Sequence, residues 1–307
     1  MKRTVLILTA LTIFLFGCSK ENSNNFFGTS DVVGGSILVE YTHSIGKENE
    51  TRHTFSEQGT KFDKVFDANG NVLKEFIYLG NNIIEIIATV EEGSDHYFYQ
   101  YNGDQLVNIT IDRTRNGVIT TESNDYVYEG NHITLYSPTD PPNLFKKRYT
   151  LNAEGEIYEI EFFDFRSNTY YDWHKRRYGN YTNGEPWSYE EVNGSYDAYN
   201  DFYDGIWEQG GYWNYFDTVK NPLKESLNRV YLVALLTPEV FFDGLYGESF
   251  LGSVGDQFVQ EATQYYASVF TDYHLIRNQN IVIQTNNLPK SGNVLFGFRP
   301  FIFTYTE

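Results

Sequence analysis

The sequence predicts an all-β protein, an antiparallel meander of repeated hairpins that forms an extended or curled sheet, with one helix in its C-terminal region. Three observations predict it. A phrase of aromatic, spacer, Tyr, spacer, Gly, two polar residues and then Ile or Leu occurs three times, beginning at Phe76, Tyr99 and Tyr126. Its aromatics stand two apart, the strand period, and its glycines Gly80, Gly103 and Gly130 fall where a chain reversal needs positive φ. Aromatic residues make up 18% of the 307, with 26 Tyr against one Met, a composition that suits half-buried pleated surfaces.

Taken in order, the chain begins with Lys2 and Arg3, an apolar run from Val5 to Phe16, and then Gly17-Cys18. Twelve apolar residues are too short to span a bilayer and suit a secretory leader. The ending Leu15-Phe16-Gly17-Cys18 resembles a bacterial lipoprotein signal, although Phe16 replaces the usual small residue. That resemblance implies cleavage before Cys18 and lipidation of Cys18, so residues 1–17 are expected as signal peptide. Two or more acyl chains hold a protein stably to a membrane, and residues 18–35, rich in Ser, Asn and Gly, are expected as a flexible tether. Because Cys18 is the only cysteine, the chain forms no internal disulfide.

Residues 36–178 are expected as the repeat sheet. Val107, Ile109 and Ile111 alternate with Asn108, Thr110 and Asp112, which means one packed face and one wet face. A second turn phrase, Asp67-Ala68-Asn69-Gly70 and Asn152-Ala153-Glu154-Gly155, interleaves with the first, and Asn116-Gly117 adds a further hairpin signal. Pro138 to Pro142 mark a loop that cannot continue a ladder. The two turn phrases resemble the YD-type repeats of RHS proteins, and more closely uncharacterised Bacteroidota lipoproteins built from degenerate versions of them. Tyr215-Phe216-Asp217-Thr218-Val219-Lys220-Asn221-Pro222 is similar to a phrase found toward the C-terminal part of those lipoproteins. The resemblance implies architecture and an outer-membrane or cell-surface location, and it transfers no catalytic residue.

From Tyr170 to Phe216 sixteen aromatics occur in 47 residues, including all four tryptophans, among seven glycines and prolines that include Gly179, Gly194 and Gly211. Residues 179–216 are therefore expected to depart from regular structure, either as a functional loop or as a packed cover over the sheet. Residues 217–307 are expected to complete the same domain. Asn221 can cap a helix, Pro222 fits its first turn, and Leu223, Leu227, Val230, Tyr231, Ala234 and Leu235 share one face. Phe258, Ala262, Tyr265 and Val269 suggest a second helix, and strands resume at Ile281 to Gln284 and Val294 to Tyr305, where a C-terminal strand is expected to close the domain.

The formal charge of −18, or −20 once Lys2 and Arg3 leave with the leader, repels phosphate backbones and argues against nucleic acid as a partner. The six histidines show no zinc spacing, and no cofactor motif is present. Asn193, Ser195 and Asp197 begin like a calcium loop, but Ala198 stands where Gly is needed and Asp204 where Glu is, which excludes an EF-hand and leaves a looser calcium site open. Nucleophile elbows and phosphate-binding glycine loops are missing. Seven acids, Glu185, Glu190, Glu191, Asp197, Asp201, Asp204 and Glu208, lie among the aromatics, the types a glycosidase would use as proton donor and partner.

The reading this supports is a non-catalytic, membrane-anchored envelope or cell-surface lipoprotein that binds a glycan or protein, with Trp187, Trp207 and Trp213 as the ligand-binding candidates. The alternatives are a glycan-active hydrolase using two of those acids and a structural envelope component. Two carboxylates gathered in a cleft would favour the hydrolase, and an exposed row of tryptophans the binder.

Overall fold

The computed structural model describes residues 36–136, 147–153, 157–165, 170–179, 188–197, 202–223, 226, 233, 236–237, 240, 257–266, 271–294 and 299–306. The leader, Cys18, the tether, the Pro138–Pro142 loop, Gly155 and Trp187 lie outside them.

Eighteen strands are described. They are β1 (Ile37–His43), β2 (Thr51–Ser56), β3 (Lys61–Asp67), β4 (Val72–Leu79), β5 (Asn82–Val90), β6 (Gly93–Asn102), β7 (Gln105–Arg115), β8 (Val118–Glu129) and β9 (His132–Tyr136). The second half comprises β10 (Lys147–Leu151), β11 (Ile157–Phe165), β12 (Tyr170–Gly179), β13 (Ser188–Asp197), β14 (Phe202–Lys220), β15 (Gln257–Tyr266), β16 (Thr271–Ile283), β17 (Pro289–Val294) and β18 (Arg299–Thr306). Each strand pairs antiparallel with its neighbours in sequence. β1 also pairs with β18, from Ile37 opposite Thr306 to His43 opposite Phe301. The circuit of hydrogen bonds therefore returns to its start, and the meander curls into a closed barrel.

Turn chemistry sets the hairpins. Gly80, Gly103 and Gly130 open the two-residue turns β4–β5, β6–β7 and β8–β9 with φ of 60°, 62° and 62°, and in each the second turn residue is not in positive φ. That is the order of a type II′ turn, whose twist matches the flanking strands. Asn116 and Gly117, at 50° and 78°, both take positive φ, as a type I′ turn requires. In the β3–β4 turn, Asp67 accepts from the backbone N–H groups of Asn69 and Asn71 at 2.9 and 2.8 Å and from the Asn71 amide at 2.9 Å. Asn71 is the main reason that the Asp67 carboxyl lies below its ordinary range.

The inner face is apolar through most of its length. Tyr41, Phe62, Val65, Phe76, Ile86, Tyr97, Ile109, Tyr126, Ile133, Tyr149 and Phe301 belong to one buried cluster. A circle of eighteen strands encloses more room than side chains alone can fill. The segment after β14 enters it: Val233, Leu236 and Val240 are buried in the same cluster and Leu223 packs against it. Asn221 caps as the sequence predicts, its Oδ1 accepting from the Leu223 N–H at 3.0 Å, and the chain is helical at Ser226, Val233, Leu236 and Val240. The Tyr99 hydroxyl meets Thr237 Oγ1 at 3.1 Å, fixing this segment to β6.

Two expectations are corrected. Residues 257–266 are a strand, not a helix, since Phe258, Ala262 and Tyr265 match a helical spacing by coincidence while the ladder bonds of β14 and β16 hold the backbone extended. Within the aromatic segment, residues 188–197 and 202–216 are strand rather than broken: Gly194 in β13 stands opposite Gly205 in β14, and Gly210 and Gly211 stand opposite Glu190 and Tyr189, while Gly184 and Pro186 lie outside the described residues.

Candidate functional site

The barrel has two distinct ends. Gly80, Gly103, Gly130 and the β2–β3 turn lie at the end where β1 begins at Ile37 and β18 finishes at Thr306, and the segment that fills the interior departs from Lys220 at the same end. It is named the anchor end for the lipidation expected at Cys18, upstream of β1. The far end carries the Asn116–Gly117 turn, the β3–β4 turn and the beginnings of β12 and β14.

On β6–β8 the inner face changes from apolar to charged toward the far end. Along β7, Ile109 and Ile111 are followed on the same face by Arg113 and Arg115, and along β8 Tyr126 gives way to Asn124 and Glu122. Arg115 grips Asp95 with both terminal nitrogens, at 2.6 and 3.0 Å, and Arg113 reaches Glu122 at 2.8 Å. Hydrogen bonding to Asp95 raises the Arg115 guanidinium further above its ordinary value. Burial opposes the charge of Arg113, yet the bond and charge of Glu122 outweigh it and the net shift is also upward. Asn124 is buried and donates from Nδ2 to Glu122 at 3.2 Å, while its Oδ1 has no partner. Both carboxylates are thus committed to guanidinium groups, and such a cluster of donors and acceptors on β6–β8 suits hydrogen bonding to a polar ligand better than proton transfer.

Across β11–β14 the same end brings aromatics and acids into register. Phe165 stands opposite Tyr171, Tyr171 opposite Tyr196, and Tyr196 opposite Tyr203. One residue along, Asp164, Asp172, Ser195 and Asp204 form a second row. Asn193, Ser195 and Asp197 are strand residues of β13 rather than a loop. Among the described residues no group of three or more His, Cys, Asp or Glu could hold a metal ion.

Trp207 stands opposite Val192 and Trp213 opposite Ala262, both on β14, so the ladder places two of the three candidate tryptophans on one strand. Among the described residues none of the acids proposed for hydrolysis is the register partner of another, and Glu208 falls in the β14 bulge between Trp207 and Gln209, facing Glu191 and Val192. Glu190 stands between Arg177 and Gly210, Glu191 between Arg176 and Gln209, Asp197 between Tyr170 and Phe202, and Asp204 opposite Ser195. Glu185 and Asp201 lie outside the described residues. Sequence reasoning missed the Asp95, Arg113, Arg115 and Glu122 group. Its signal was the change from Ile109 and Ile111 to Arg113 and Arg115 at constant two-residue spacing.

No protein-family profile matches the chain, and no curated protein matches it. Among solved structures it is similar to a porin-like protein from Bacteroides vulgatus ATCC 8482, at 13% identity and a TM-score of 0.39, over 88% of this chain and 99% of that one. It is also similar to a porin-like protein from Bacteroides uniformis ATCC 8492, at 12% identity and a TM-score of 0.35, over 89% and 97%. Likenesses of that size establish no function.

Proposed function

We propose that this chain is a non-catalytic lipoprotein of the outer membrane or cell surface, held by lipid on Cys18, whose barrel stands in water and binds a glycan or protein at the end away from the anchor. The observation that carries the reading is the polarity of the barrel wall. A membrane-spanning barrel turns an apolar band outward and keeps a polar lumen. Here the core is inside and the outer wall is charged: Lys64 pairs with Glu75 at 3.0 Å, His96 with Glu85 at 3.1 Å, and Arg52 with Glu40 at 3.1 Å. Lys175 and Arg177 pair with Glu159 at 3.1 and 3.2 Å, and Thr121 donates to Asp112 at 2.6 Å. A single Arg or Lys on a lipid-facing barrel wall costs about 2–4 kcal/mol at the bilayer midplane, and these follow one another strand after strand. Among the described residues no helix is long and apolar enough to cross a membrane.

The arginine–carboxylate pairs and the aromatic rows at the far end support binding there, since sugars offer apolar ring faces edged by hydroxyls that need hydrogen bonds. A glycan and protein binding screen with the full mature chain tests this. Binding that Arg115→Ala weakens supports the assignment, and binding indifferent to Arg115, Trp207 and Trp213 refutes it.

A further inference from the structure

The β7–β8 hairpin outruns its neighbour on one side. β8 pairs with β7 from Val118 to Asp125 but with β9 only from Asp125 to Glu129. The stretch from Val118 to Asn124 is therefore laddered on one side and, among the described residues, open on the other. Arg115 and Val118 flank a two-residue turn and so exchange both ladder bonds, which fixes the alternation that follows. Val118, Thr120, Glu122 and Asn124 turn their main-chain groups toward β7, whereas Ile119, Thr121 and Ser123 turn theirs to the open side. A continuation of β9 could not complete this ladder: past Tyr136 its register would set Pro138 against Ser123, and proline has no N–H to give. Sheet edges that meet water are usually blunted by Lys, Pro or a bulge. This one has none of them. The register of β7 and β8 runs without a shift, and Val118, Ile119, Thr120 and Thr121 are all β-branched and exposed, Val118 by 64% and Ile119 by 66%. On the outer face beside the edge, Asp112 accepts from Thr121 and Asp125 from Asn108, each at 2.6 Å, and neither has a basic partner among the described residues. β8 and β9 hold Glu122, Asp125 and Glu129 but no Lys or Arg.

We propose that this edge takes up an extended, Lys- or Arg-bearing segment of another protein as an added strand. The inference rests on the reading of the far end as the binding end, and narrows it to one strand and one class of partner. The main chain supplies the affinity, because three outward residues exchange about six hydrogen bonds with an antiparallel strand, two for each facing pair. The side chains supply the selection. A Lys or Arg opposite Ser123 reaches Asp125 on the diagonal, one opposite Thr121 lies in line with Asp112, and an apolar residue opposite Ile119 covers it. A second copy of this chain is disfavoured at the same edge, since it brings a net charge of −18 against its own sign.

The test measures fluorescence anisotropy of an end-blocked, labelled peptide, Lys-Thr-Lys-Thr-Val, with the full mature chain. Two comparison peptides carry Glu in place of Lys, or N-methyl groups on the third and fifth residues, whose N–H groups would enter the ladder. The basic peptide is expected to bind about tenfold more tightly than either, and to weaken as salt rises. Ile119→Pro removes an edge N–H without touching a bond to β7, and is expected to weaken binding at least about fivefold at an unchanged melting temperature. Should that variant melt early, Ile119→Lys leaves the backbone intact and is expected to weaken the basic peptide as much. No binding, or equal binding of the basic and N-methylated peptides, overturns the proposal. Binding that Arg115→Ala abolishes and both Ile119 variants leave unchanged overturns the edge while sparing the far end as the binding end. A chain that sediments as a dimer, and as a monomer after Ile119→Pro, also overturns it, because the edge then belongs to a second copy.

Discussion

The hydroxyl of Tyr101 donates to the backbone carbonyl of Ile83 at 2.9 Å, tying the next-to-last residue of β6 to the second residue of β5. Tyr305, next to last in β18, does the same to Pro289, the first residue of β17, at 2.8 Å. Tyr128, next to last in β8, has the Leu106 backbone beside it. Each is the tyrosine that closes a strand at the anchor end, and in the repeats it is the second aromatic of the phrase. At Tyr101 the spacing repeated within the phrase thus serves the joint between hairpins as well as the turn. Replacing Tyr101 with Phe keeps the ring and removes the bond, and is expected to cost about 1 kcal/mol in urea denaturation.

These tyrosines also predict alkaline behaviour. Burial pushes the Tyr128 hydroxyl up to about 12 and raises Tyr101 and Tyr305 as well. An ordinary tyrosine in the unfolded chain ionises near 10, so above that pH the unfolded state has lost protons that the folded state retains. The stabilisation is complete below about pH 10 and falls as pH rises toward 12. Melting temperature measured from pH 8 to 12 should drop above pH 10, and Tyr128→Phe should shallow the drop.

Gly103→Val is expected to cost about 1–2 kcal/mol, because no neighbour lies within 4 Å of the position a Cβ would take and backbone strain at φ 62° is the sole penalty. Gly80→Val and Gly130→Val should cost the same within a few tenths. Gly292→Ala fails for a different reason: its Cβ would stand 2.5 Å from Ile281 Cδ1 and 2.7 Å from Phe301 Cζ, so loss there follows from crowding, and trimming Ile281 to Ala should relieve part of it.

The helical segment is expected to be coupled to the barrel through one bond. A double-mutant cycle on Tyr99→Phe and Thr237→Val, read by denaturation midpoints, should show a coupling of about 1 kcal/mol. Additive effects would mean that the segment does not hold its place against β6.

For the aromatic strands, Trp207→Ala and Trp213→Ala should each be scored for melting and for ligand binding. Loss of a buried tryptophan costs about 3–5 kcal/mol, whereas an exposed binding residue is removed with little change in stability. At least one variant is expected to lose binding while melting normally; early melting in both would assign them to the core.

The parts of this fold that were legible in the sequence are those governed by neighbours a few residues away. Gly103 and Asn116-Gly117 announce their turns because few residues tolerate positive φ, and Asn221-Pro222 announces a helix start through capping chemistry. Val107 to Asp112 announces one wet face by alternation. Closure was legible only as a C-terminal strand that completes the domain; its partner was not, since Ile37 and Thr306 meet across nearly the whole chain and nothing local requires it. Strands β13–β15 were missed because Gly194, Gly205 and Gly210 carry turn propensity that pairing on both sides overrides, and because Phe258, Ala262 and Tyr265 fit two periods. The far-end group was half legible: Arg113 and Arg115 lie on the inner face by spacing, but their partners Asp95 and Glu122 come from other strands.

The account turns on a barrel with a water-facing wall that is held to the membrane by lipid alone. Fractionation of the Cys18→Ala chain, expressed with its leader and extracted without detergent, measures this most directly. The expected result is a folded barrel in the soluble fraction, with the tyrosine and tryptophan fluorescence of the lipidated form. A Cys18→Ala chain that stays folded in the membrane pellet and leaves it only with detergent would contradict the account, because the strands themselves would then be holding it in the bilayer.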